Sequence, residues 1–183
     1  KIPEGARMLF VCNHQHDLDP VMLLSAFPSA EIGFIGKKDI YKDMPFIAKA
    51  MHRLYCLPID RENDREALKA ILKAIQFTKE DKCSIAVFPE GGTNRTEEDL
   101  LPFRNGAFKI AQKANVPIVI CALVNSKAIL KNMFRRHTDV YLDVLAVIPP
   151  EELESLKTID IGNRAHGILL EGLRKRKAAL AAQ

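Results

Sequence analysis

The sequence lacks a long hydrophobic run, a closely spaced pair of cysteines and a strong excess of charge of either sign. No apolar stretch approaches the roughly 18 residues of a membrane-spanning helix, and no signal-peptide pattern is present. The formal net charge is only +4, although four basic residues stand together at 174–177. The body of the chain is therefore nearly neutral, which argues against a protein that binds nucleic acid through a positively charged surface.

The cysteines are scattered among apolar neighbours, without a C-x-x-C motif. They are Cys12, Cys56, Cys83 and Cys121. This pattern predicts buried thiols in a reducing compartment. The chain begins at Lys1 rather than at a methionine. We therefore expect that an upstream segment belongs to the full protein, and whether that segment carries a membrane anchor stays open.

Length and periodicity indicate a single α/β domain that spans residues 1–183. The hydrophobic fraction of 48% over 183 residues suits one domain with a sizeable core. Strands are predicted at 8–12, 32–35, 57–59, 84–88, 117–124 and 140–148, and helices at 20–27, 45–55, 63–75, 105–114 and 163–180. Because strands alternate with helices almost throughout, we predict a largely parallel sheet flanked by helices on both faces. The alternation in 140–148 is typical of an edge strand, and 89–104 is a long loop of the kind that is usually functional.

A dense group of polar residues follows the first predicted strand. The segment 13–19 reads NHQHDLD and holds two histidines and two aspartates. Ligands of parallel sheets bind beyond the carboxyl ends of the strands. Residues that directly follow predicted strands should therefore share one edge, and these include His14, Asp60, Glu90 and Asn125. With the basic residues Arg61 and Arg95 nearby, this edge is predicted to bind an anionic substrate.

Three interpretations of the segment 13–19 remain open from the residues alone. In the first, Asp19 caps the helix that Pro20 begins, and the histidines only decorate a loop. In the second, HQHDLD resembles the His-x-His-x-Asp-His run of metal-dependent hydrolases of the metallo-β-lactamase type. Leu18 and Asp19 then stand where Asp and His are needed, and zinc requires three or four well-placed ligands.

The third interpretation is a catalytic dyad of His14 and Asp19. In it, the carboxylate holds the proton on Nδ1 of the imidazole, and Nε2 accepts a proton from a hydroxyl. Residues five apart on one regular helix would not face each other. The dyad therefore requires that His14 lie at the end of a strand and Asp19 at the start of a helix.

Four blocks in order along the chain resemble the glycerolipid acyltransferases, the lysophosphatidic acid acyltransferase family. NHQHDLD resembles the Asn-His-x-Ser-x-x-Asp motif of that family. LPIDR at 57–61, FPEGGTNRT at 88–96 and VPIVICAL at 116–123 resemble its later blocks. One His and Asp pair at this spacing occurs often by chance, whereas four ordered blocks do not.

The resemblance implies transfer of an acyl group from acyl-CoA or acyl-ACP to the free hydroxyl of a lysophospholipid, with lysophosphatidic acid converted to phosphatidic acid. His14 would be the general base and Asp19 would orient it. The hydroxyl would attack the thioester directly, so the reaction needs neither a Ser or Cys nucleophile nor a bound cofactor or metal. The alternatives are a metal-dependent hydrolase and a non-catalytic lipid-binding module of the same fold.

Matching the blocks also assigns candidates for binding the acceptor. Arg61, Arg95 and Arg104 are candidates for its phosphate, and Glu90 and Gly91 would shape the acceptor pocket. From its loop position alone, Arg61 could instead form a solvent-exposed ion pair with Asp60 or Glu62. Two departures from the family are visible. His16 stands where the family has Ser or Thr, and one additional residue before Arg95 leaves open whether Arg95 or Arg104 serves the phosphate.

The helical segment 44–55 combines apolar and basic residues. It carries Met44, Phe46, Ile47, Met51 and Leu54 together with Lys49, His52 and Arg53. Such a helix either packs on the core with one solvated side, or rests on a bilayer with its basic residues at the lipid head groups. Since the family associates with membranes, the resemblance implies a cytoplasmic protein that is peripheral on the cytoplasmic face of the membrane.

Overall fold

The computed structural model describes residues 5–43, 45–60, 63–132 and 137–182. The strands are β1 (Leu9–Cys12), β2 (Ile32–Lys37), β3 (Leu57–Ile59), β4 (Ser84–Val87), β5 (Ile118–Val124) and β6 (Tyr141–Ile148). The α-helices are α1 (Asp19–Ala26), α2 (Lys38–Asp43), α3 (Pro45–Arg53), α4 (Asp64–Lys79), α5 (Lys109–Ala114), α6 (Ala128–Lys131) and α7 (Thr158–Ala181). Short 3-10 turns cover Asn105–Phe108 and Pro150–Glu152.

The six strands form one sheet in the order β3-β2-β4-β1-β5-β6. The first five are parallel, and β6 pairs antiparallel with β5 at the edge. The predicted α/β fold with a largely parallel sheet is therefore confirmed, as is the edge position of the last strand. Strands β4, β1 and β5 lie at the centre of the sheet, so the loops that follow them meet at one edge.

Helices cover both faces of the sheet, because alternate residues of each central strand point to opposite sides. Leu9 and Val11 of β1 contribute to a core that also contains Ala74 of α4, Ile110 of α5 and Leu169 of α7. On the other face, Phe10 and Cys12 of β1 pack in a second core with Leu23 of α1 and Met51 of α3. All four cysteines are free and buried, as their apolar neighbours predicted.

Several boundaries differ from those predicted. The short helices α2 and α6 were not predicted, because six and four residues are too few to show a helical period. Helix α7 begins at Thr158 rather than at 163. Its first turns contain Gly162, which weakens a sequence-based helix signal. An added Cβ at this glycine would lie 1.9 Å from Oδ1 of Asn105, so a larger residue would displace that side chain.

Asn63 caps the N-terminus of α4, as is typical of an Asn that stands three residues before a Glu at the start of a helix. The Asn63 side chain accepts hydrogen bonds from the amides of Arg65 and Glu66 at 3.1 and 3.2 Å. Two of the first amides of the helix, which have no partner within it, are thereby satisfied. Among the described residues, no helix is both long enough and apolar enough to cross a membrane.

Candidate active site

Asn13 fixes the point at which the chain leaves the sheet after β1. Its fully buried side chain donates a hydrogen bond to the carbonyl of Leu123 and accepts one from the amide of the same residue, both at 2.8 Å. The Asn13 side chain thus extends the hydrogen bonding between β1 and β5 by one residue beyond the end of β1. Since a buried side-chain pair of this kind tolerates little movement, the next residue, His14, leaves the sheet in a defined direction.

His14 and Asp19 lie in contact, as the dyad interpretation requires. Nδ1 of His14 lies 3.0 Å from Oδ2 of Asp19, and the aspartate side chain is fully buried. The same Oδ2 accepts hydrogen bonds from the amides of Gln15 at 2.6 Å and His16 at 2.8 Å. A carboxylate that accepts at Nδ1 holds the imidazole proton there, which leaves a lone pair on Nε2, the feature that a general base needs.

The prediction that Asp19 caps helix α1 was wrong. The helix begins at Asp19 itself, its cap residue is Leu18, and no side chain caps it. The carboxylate points backwards to the turn that precedes the helix, since its donors are His14, Gln15 and His16. Asp19 therefore holds the loop closed and orients the imidazole, whereas Pro20 in the first helical turn needs no amide partner.

The loop after β4 is docked on the main chain of His14. The amide of His14 donates to Oε1 of Glu90 at 2.7 Å, and its carbonyl accepts from the amide of Asn94 at 2.6 Å. The imidazole also stacks on the ring of Phe88, with 4.4 Å between the ring centroids. The first and third sequence blocks thus form one structural unit, in which Phe88 packs on the His14 ring while Glu90 and Asn94 bind the His14 main chain.

Glu90 acts as a brace between two segments. Its second oxygen, Oε2, accepts from the amide of Leu101 at 2.9 Å, so the carboxylate ties the far end of the loop to His14. Burial raises the pKa of the Glu90 carboxyl above its usual range, and the amides of Leu101 and His14 offset part of this effect. Both carboxylate oxygens are thus occupied by backbone amides, and the part of Glu90 in shaping the acceptor pocket stays a prediction.

A hydroxyl stands at the other nitrogen of the imidazole. Oγ1 of Thr93 lies 3.3 Å from Nε2 of His14 and donates to Oδ1 of Asp17 at 2.9 Å. Neither Thr93 nor Asp17 was singled out by sequence. The contact joins residues 76 positions apart, and no local pattern indicates it.

A groove of about 240 Å³ opens beside the third block. Its walls are largely apolar, and its lining includes Ile35, Ile59, Ile71, Val87, Phe88, Gly91 and Arg104. The backbone of Gly91 has φ +79°, and an added Cβ would lie 2.7 Å from Nε of Arg104. The guanidinium of Arg104 therefore packs against the bare backbone of Gly91, where another residue would displace it.

The other predicted residues are distributed differently. Arg95 is exposed and does not line the groove, and Arg61 lies outside the described residues. The structure brings His14 and Glu90 into direct contact, whereas Asp60 follows β3, which β2 and β4 separate from β1. Asn125 donates its side-chain amide to the carbonyl of Asp139.

His16 serves the turn rather than the dyad. It is 9% exposed, and its Nδ1 accepts from the amide of Leu18 at 3.1 Å. Within the described ranges, no group of three or more His, Cys, Asp or Glu side chains is arranged to hold a metal ion.

Comparison with known proteins agrees with these motifs. The model of a protein family described as acyltransferase matches residues 1–124. Three similar proteins carry the name 1-acyl-sn-glycerol-3-phosphate acyltransferase. The one from Saccharomyces cerevisiae is 30% identical over 164 residues, covering 87% of this chain and 52% of the relative. Those from Helicobacter pylori and Escherichia coli are 34% and 32% identical, covering 67% and 78% of this chain.

The chain spans about half the length of these relatives, with 50% of the Helicobacter pylori protein and 56% of the Escherichia coli protein covered. Among solved structures, the 1-acyl-sn-glycerophosphate (LPA) acyltransferase PlsC from Thermotoga maritima superposes with a TM-score of 0.76. It is 22% identical, and the match covers 97% of this chain and 69% of that one. At this identity the likeness supports the fold.

Proposed function

The chain belongs to the acyltransferase family, and on that premise we propose that it transfers a fatty acyl group from a thioester to the free hydroxyl of a lysophospholipid. The acceptor we propose is lysophosphatidic acid, the product is phosphatidic acid, and the donor is acyl-CoA or acyl-ACP. The observation that carries this proposal is the contact of 3.0 Å between Nδ1 of His14 and Oδ2 of buried Asp19. It leaves Nε2 as a base beside the loop 89–104.

The dyad accounts for each proton and bond of the reaction. Nε2 of His14 takes the proton of the acceptor hydroxyl as the oxygen attacks the thioester carbonyl. The new C–O bond forms, the C–S bond breaks, and the imidazolium returns its proton to the leaving thiolate. Asp19 stabilises the imidazolium between these two steps, because its charge lies against Nδ1 throughout.

An acyl-enzyme intermediate on the cysteine of β1 is disfavoured. Cys12 directly precedes the site, but burial raises the pKa of its thiol well above its ordinary value. A buried, protonated thiol is a poor nucleophile, since the thiolate is the reactive form. Direct attack by the acceptor hydroxyl is therefore the route that these side chains support.

For the acceptor phosphate we propose Arg104 ahead of Arg95. Arg104 lines the groove together with Gly91 and Phe88, and Phe88 stacks on the imidazole. Arg95 remains a candidate from the block alignment, as does Arg61. A guanidinium in the lining of an apolar groove matches a phosphate joined to a hydrocarbon chain.

We also propose that α3 contacts the membrane surface from the cytoplasmic side. Phe46 is 91% exposed and Ile47 is 48% exposed, whereas Ala48 is buried and Met51 packs into the second core. The two interpretations of this helix are thus compatible. One side of α3 packs on the sheet through Met51. Phe46 and Ile47 are exposed to solvent and could enter a lipid surface.

The test is a thioester-release assay with and without lysophosphatidic acid. We expect acceptor-dependent release by the wild type and a loss of at least about a hundredfold in kcat for His14→Ala, since general-base catalysis contributes roughly that much. The matched control is His137→Ala, because His137 is 79% exposed and pairs with Asp139. Full activity in His14→Ala contradicts the dyad mechanism. Binding of lysophosphatidic acid without any turnover by the wild type favours the non-catalytic lipid-binding module.

A further inference from the structure

The contact between Thr93 and Asp17 lies at the nitrogen that performs the proposed chemistry. Thr93 follows β4, and Asp17 lies in the turn before α1, so two separate segments deliver one hydroxyl to Nε2 of His14. Oγ1 is 3.3 Å from Nε2 and 2.9 Å from Oδ1 of Asp17. The series of side-chain contacts therefore extends beyond the imidazole, from Asp19 through His14 and Thr93 to Asp17.

Two acceptors in the resting site compete for the hydroxyl proton of Thr93, and their chemistry decides which one receives it. The proton of His14 lies on Nδ1, where Asp19 accepts it. Thr93 has a single hydroxyl proton and two candidate acceptors. The carboxylate of Asp17 is both closer and charged, and charge-assisted hydrogen bonds are the stronger ones. The proton therefore goes to Asp17, and the lone pair of Nε2 stays open to a substrate hydroxyl.

After proton abstraction the same groups form an uninterrupted series of donors and acceptors. Nδ1–H of His14 donates to Asp19, the new Nε2–H donates to Oγ1 of Thr93, and the Thr93 hydroxyl still donates to Asp17. In the resting site the Thr93 oxygen faces a lone pair, and in the imidazolium state it faces a proton. The arrangement is thus more favourable after the proton transfer than before it, which is the condition for lowering a barrier.

We propose that Asp17, acting through the hydroxyl of Thr93, is a positioning residue that keeps Nε2 of His14 open in the resting enzyme and stabilises it once protonated. This inference rests on the proposed function of His14 as the general base. It goes beyond the resemblance to the family, since Asp17 lies in the first block at a position that the motif leaves unspecified.

Other ionisable groups also face His14. Asp19 lies against Nδ1, Glu90 accepts from the main-chain amide, and His16 lies in the same turn. Asp17 is distinguished by its position on the side of Nε2. Because Asp17 is exposed, solvent screens its charge, and we expect an effect the size of one charge-assisted hydrogen bond.

The experiment is a double-mutant cycle on the whole chain, with kcat and KM for lysophosphatidic acid measured at saturating acyl-CoA. We expect Thr93→Val and Asp17→Ala each to lower kcat by about tenfold, roughly the contribution of one such hydrogen bond. KM should stay within about twofold, as for an interaction made only in the transition state. Because Asp17 acts through Thr93, the double variant should lose no more than Thr93→Val alone.

Two further measurements separate this role from a merely structural one. Thr93→Ser keeps the hydroxyl and should recover most of the activity that Thr93→Val loses. In Asp17→Ala the acid side of the pH profile of kcat/KM should move to lower pH, because the imidazolium has lost a negative neighbour. Asp160→Ala, which removes an exposed aspartate in the first turn of α7, is the matched control and should leave the profile unchanged.

The outcomes are distinguishable from a failure of the proposed function. Inactivity of the wild type, or full activity of His14→Ala, removes the premise and this inference with it. With an active wild type and an inactive His14→Ala, three results overturn this inference alone. These are wild-type kcat in Thr93→Val, a fully additive loss in the double variant, and an unmoved pH profile in Asp17→Ala.

Discussion

One oxygen of Asp19 accepts the hydrogen bonds that hold the turn between His14 and α1. Oδ2 accepts from Nδ1 of His14 and from the amides of Gln15 and His16, whereas Oδ1 is buried and has no hydrogen-bond partner among the described residues. The aspartate closes the turn and aligns the imidazole of His14 with the same atom. A substitution of Asp19 would therefore disturb the turn and the proposed catalysis together, so it cannot separate the two.

Glu90 offers a cleaner test at the scale of one residue. Burial raises the pKa of this carboxyl, with partial compensation by the amides of Leu101 and His14. An acid whose pKa is raised on folding binds more protons in the native state, so its contribution to stability is present at low pH and is lost as the pH rises through the folded pKa.

We therefore predict that the free energy of unfolding of Glu90→Gln, relative to the wild type, rises between pH 4 and pH 7. The neutral amide of the variant does not lose a proton over that range, whereas the wild-type carboxyl does. Urea unfolding at a series of pH values measures the difference. A constant difference across the range contradicts the raised pKa.

At the scale of the element, the loop 89–104 is held by its two ends and its middle. Glu90 and Asn94 bind the main chain of His14, and the amide of Arg104 donates to the carbonyl of Pro89. Gly91 allows the guanidinium of Arg104 to lie on the backbone at the groove. The loop therefore supports His14 and is a candidate wall of the proposed acceptor site.

We predict that Gly91→Ala destabilises the protein by about 1–2 kcal/mol, because φ is +79° and a Cβ is unfavourable there. The variant should also raise KM for lysophosphatidic acid more than it lowers kcat, since the new Cβ would lie 2.7 Å from Nε of Arg104. Thermal unfolding and steady-state kinetics measure the two effects.

Gly167→Ala is the matched control for that substitution. An added Cβ at Gly167 meets no heavy atom within 4 Å, and the residue lies inside α7. Alanine there should stabilise the helix by roughly 0.5–1 kcal/mol and leave KM unchanged. An equal KM in both glycine variants would exclude Arg104 from the acceptor site.

The sequence predicts well those features of the elements that have a local signal. The Asn63 cap and the buried strands follow from spacing and side-chain chemistry. The pairing of His14 with Asp19 is one of three interpretations that the residues leave open, and the resemblance to the family favours it. Neither source indicates the direction of the Asp19 carboxylate, since the same residue can bind forwards into the helix or backwards into the turn. The position of Thr93 at Nε2 depends on contacts between segments 76 residues apart, which one sequence does not contain.

At the scale of the whole molecule, the strand order explains why the site lies where it does. Strand β1 lies between β4 and β5 at the centre of the sheet, so the loops after β1 and β4 leave the same edge side by side. The basic end of α7 is tied to the rest of the domain through ion pairs of Arg174 and Lys177 with Asp99. The local positive run seen in the sequence is thus partly neutralised within the fold.

We predict that the exposed apolar side chains of α3 govern binding to lipid vesicles. Ile47→Ser should lower the affinity for anionic phospholipid vesicles by about tenfold, as expected for withdrawing one aliphatic side chain from a lipid surface. Co-sedimentation of the protein with the vesicles measures this affinity. Phe46→Ser should weaken it further, because Phe46 is 91% exposed. Turnover of a water-soluble short-chain lysophosphatidic acid should be unaffected.

The control is Ile159→Ser, which removes an isoleucine of similar exposure, 51% against 48% for Ile47, from the first turn of α7. It should bind vesicles as the wild type does. Equal losses in both isoleucine variants would mean that general surface hydrophobicity, rather than α3, sets the affinity.

The hydrogen bonds of Asn13 also bear on the order in which parts of the fold can form. Asn13 leads into His14, yet both of its partners are main-chain groups of Leu123, 110 residues later in the chain. During synthesis, His14 emerges from the ribosome long before the strand that carries Leu123. A nascent chain that ends before β5 therefore contains His14 and Asp19 but lacks the partners of Asn13, so the path of the chain out of β1 is fixed only once β5 has been added.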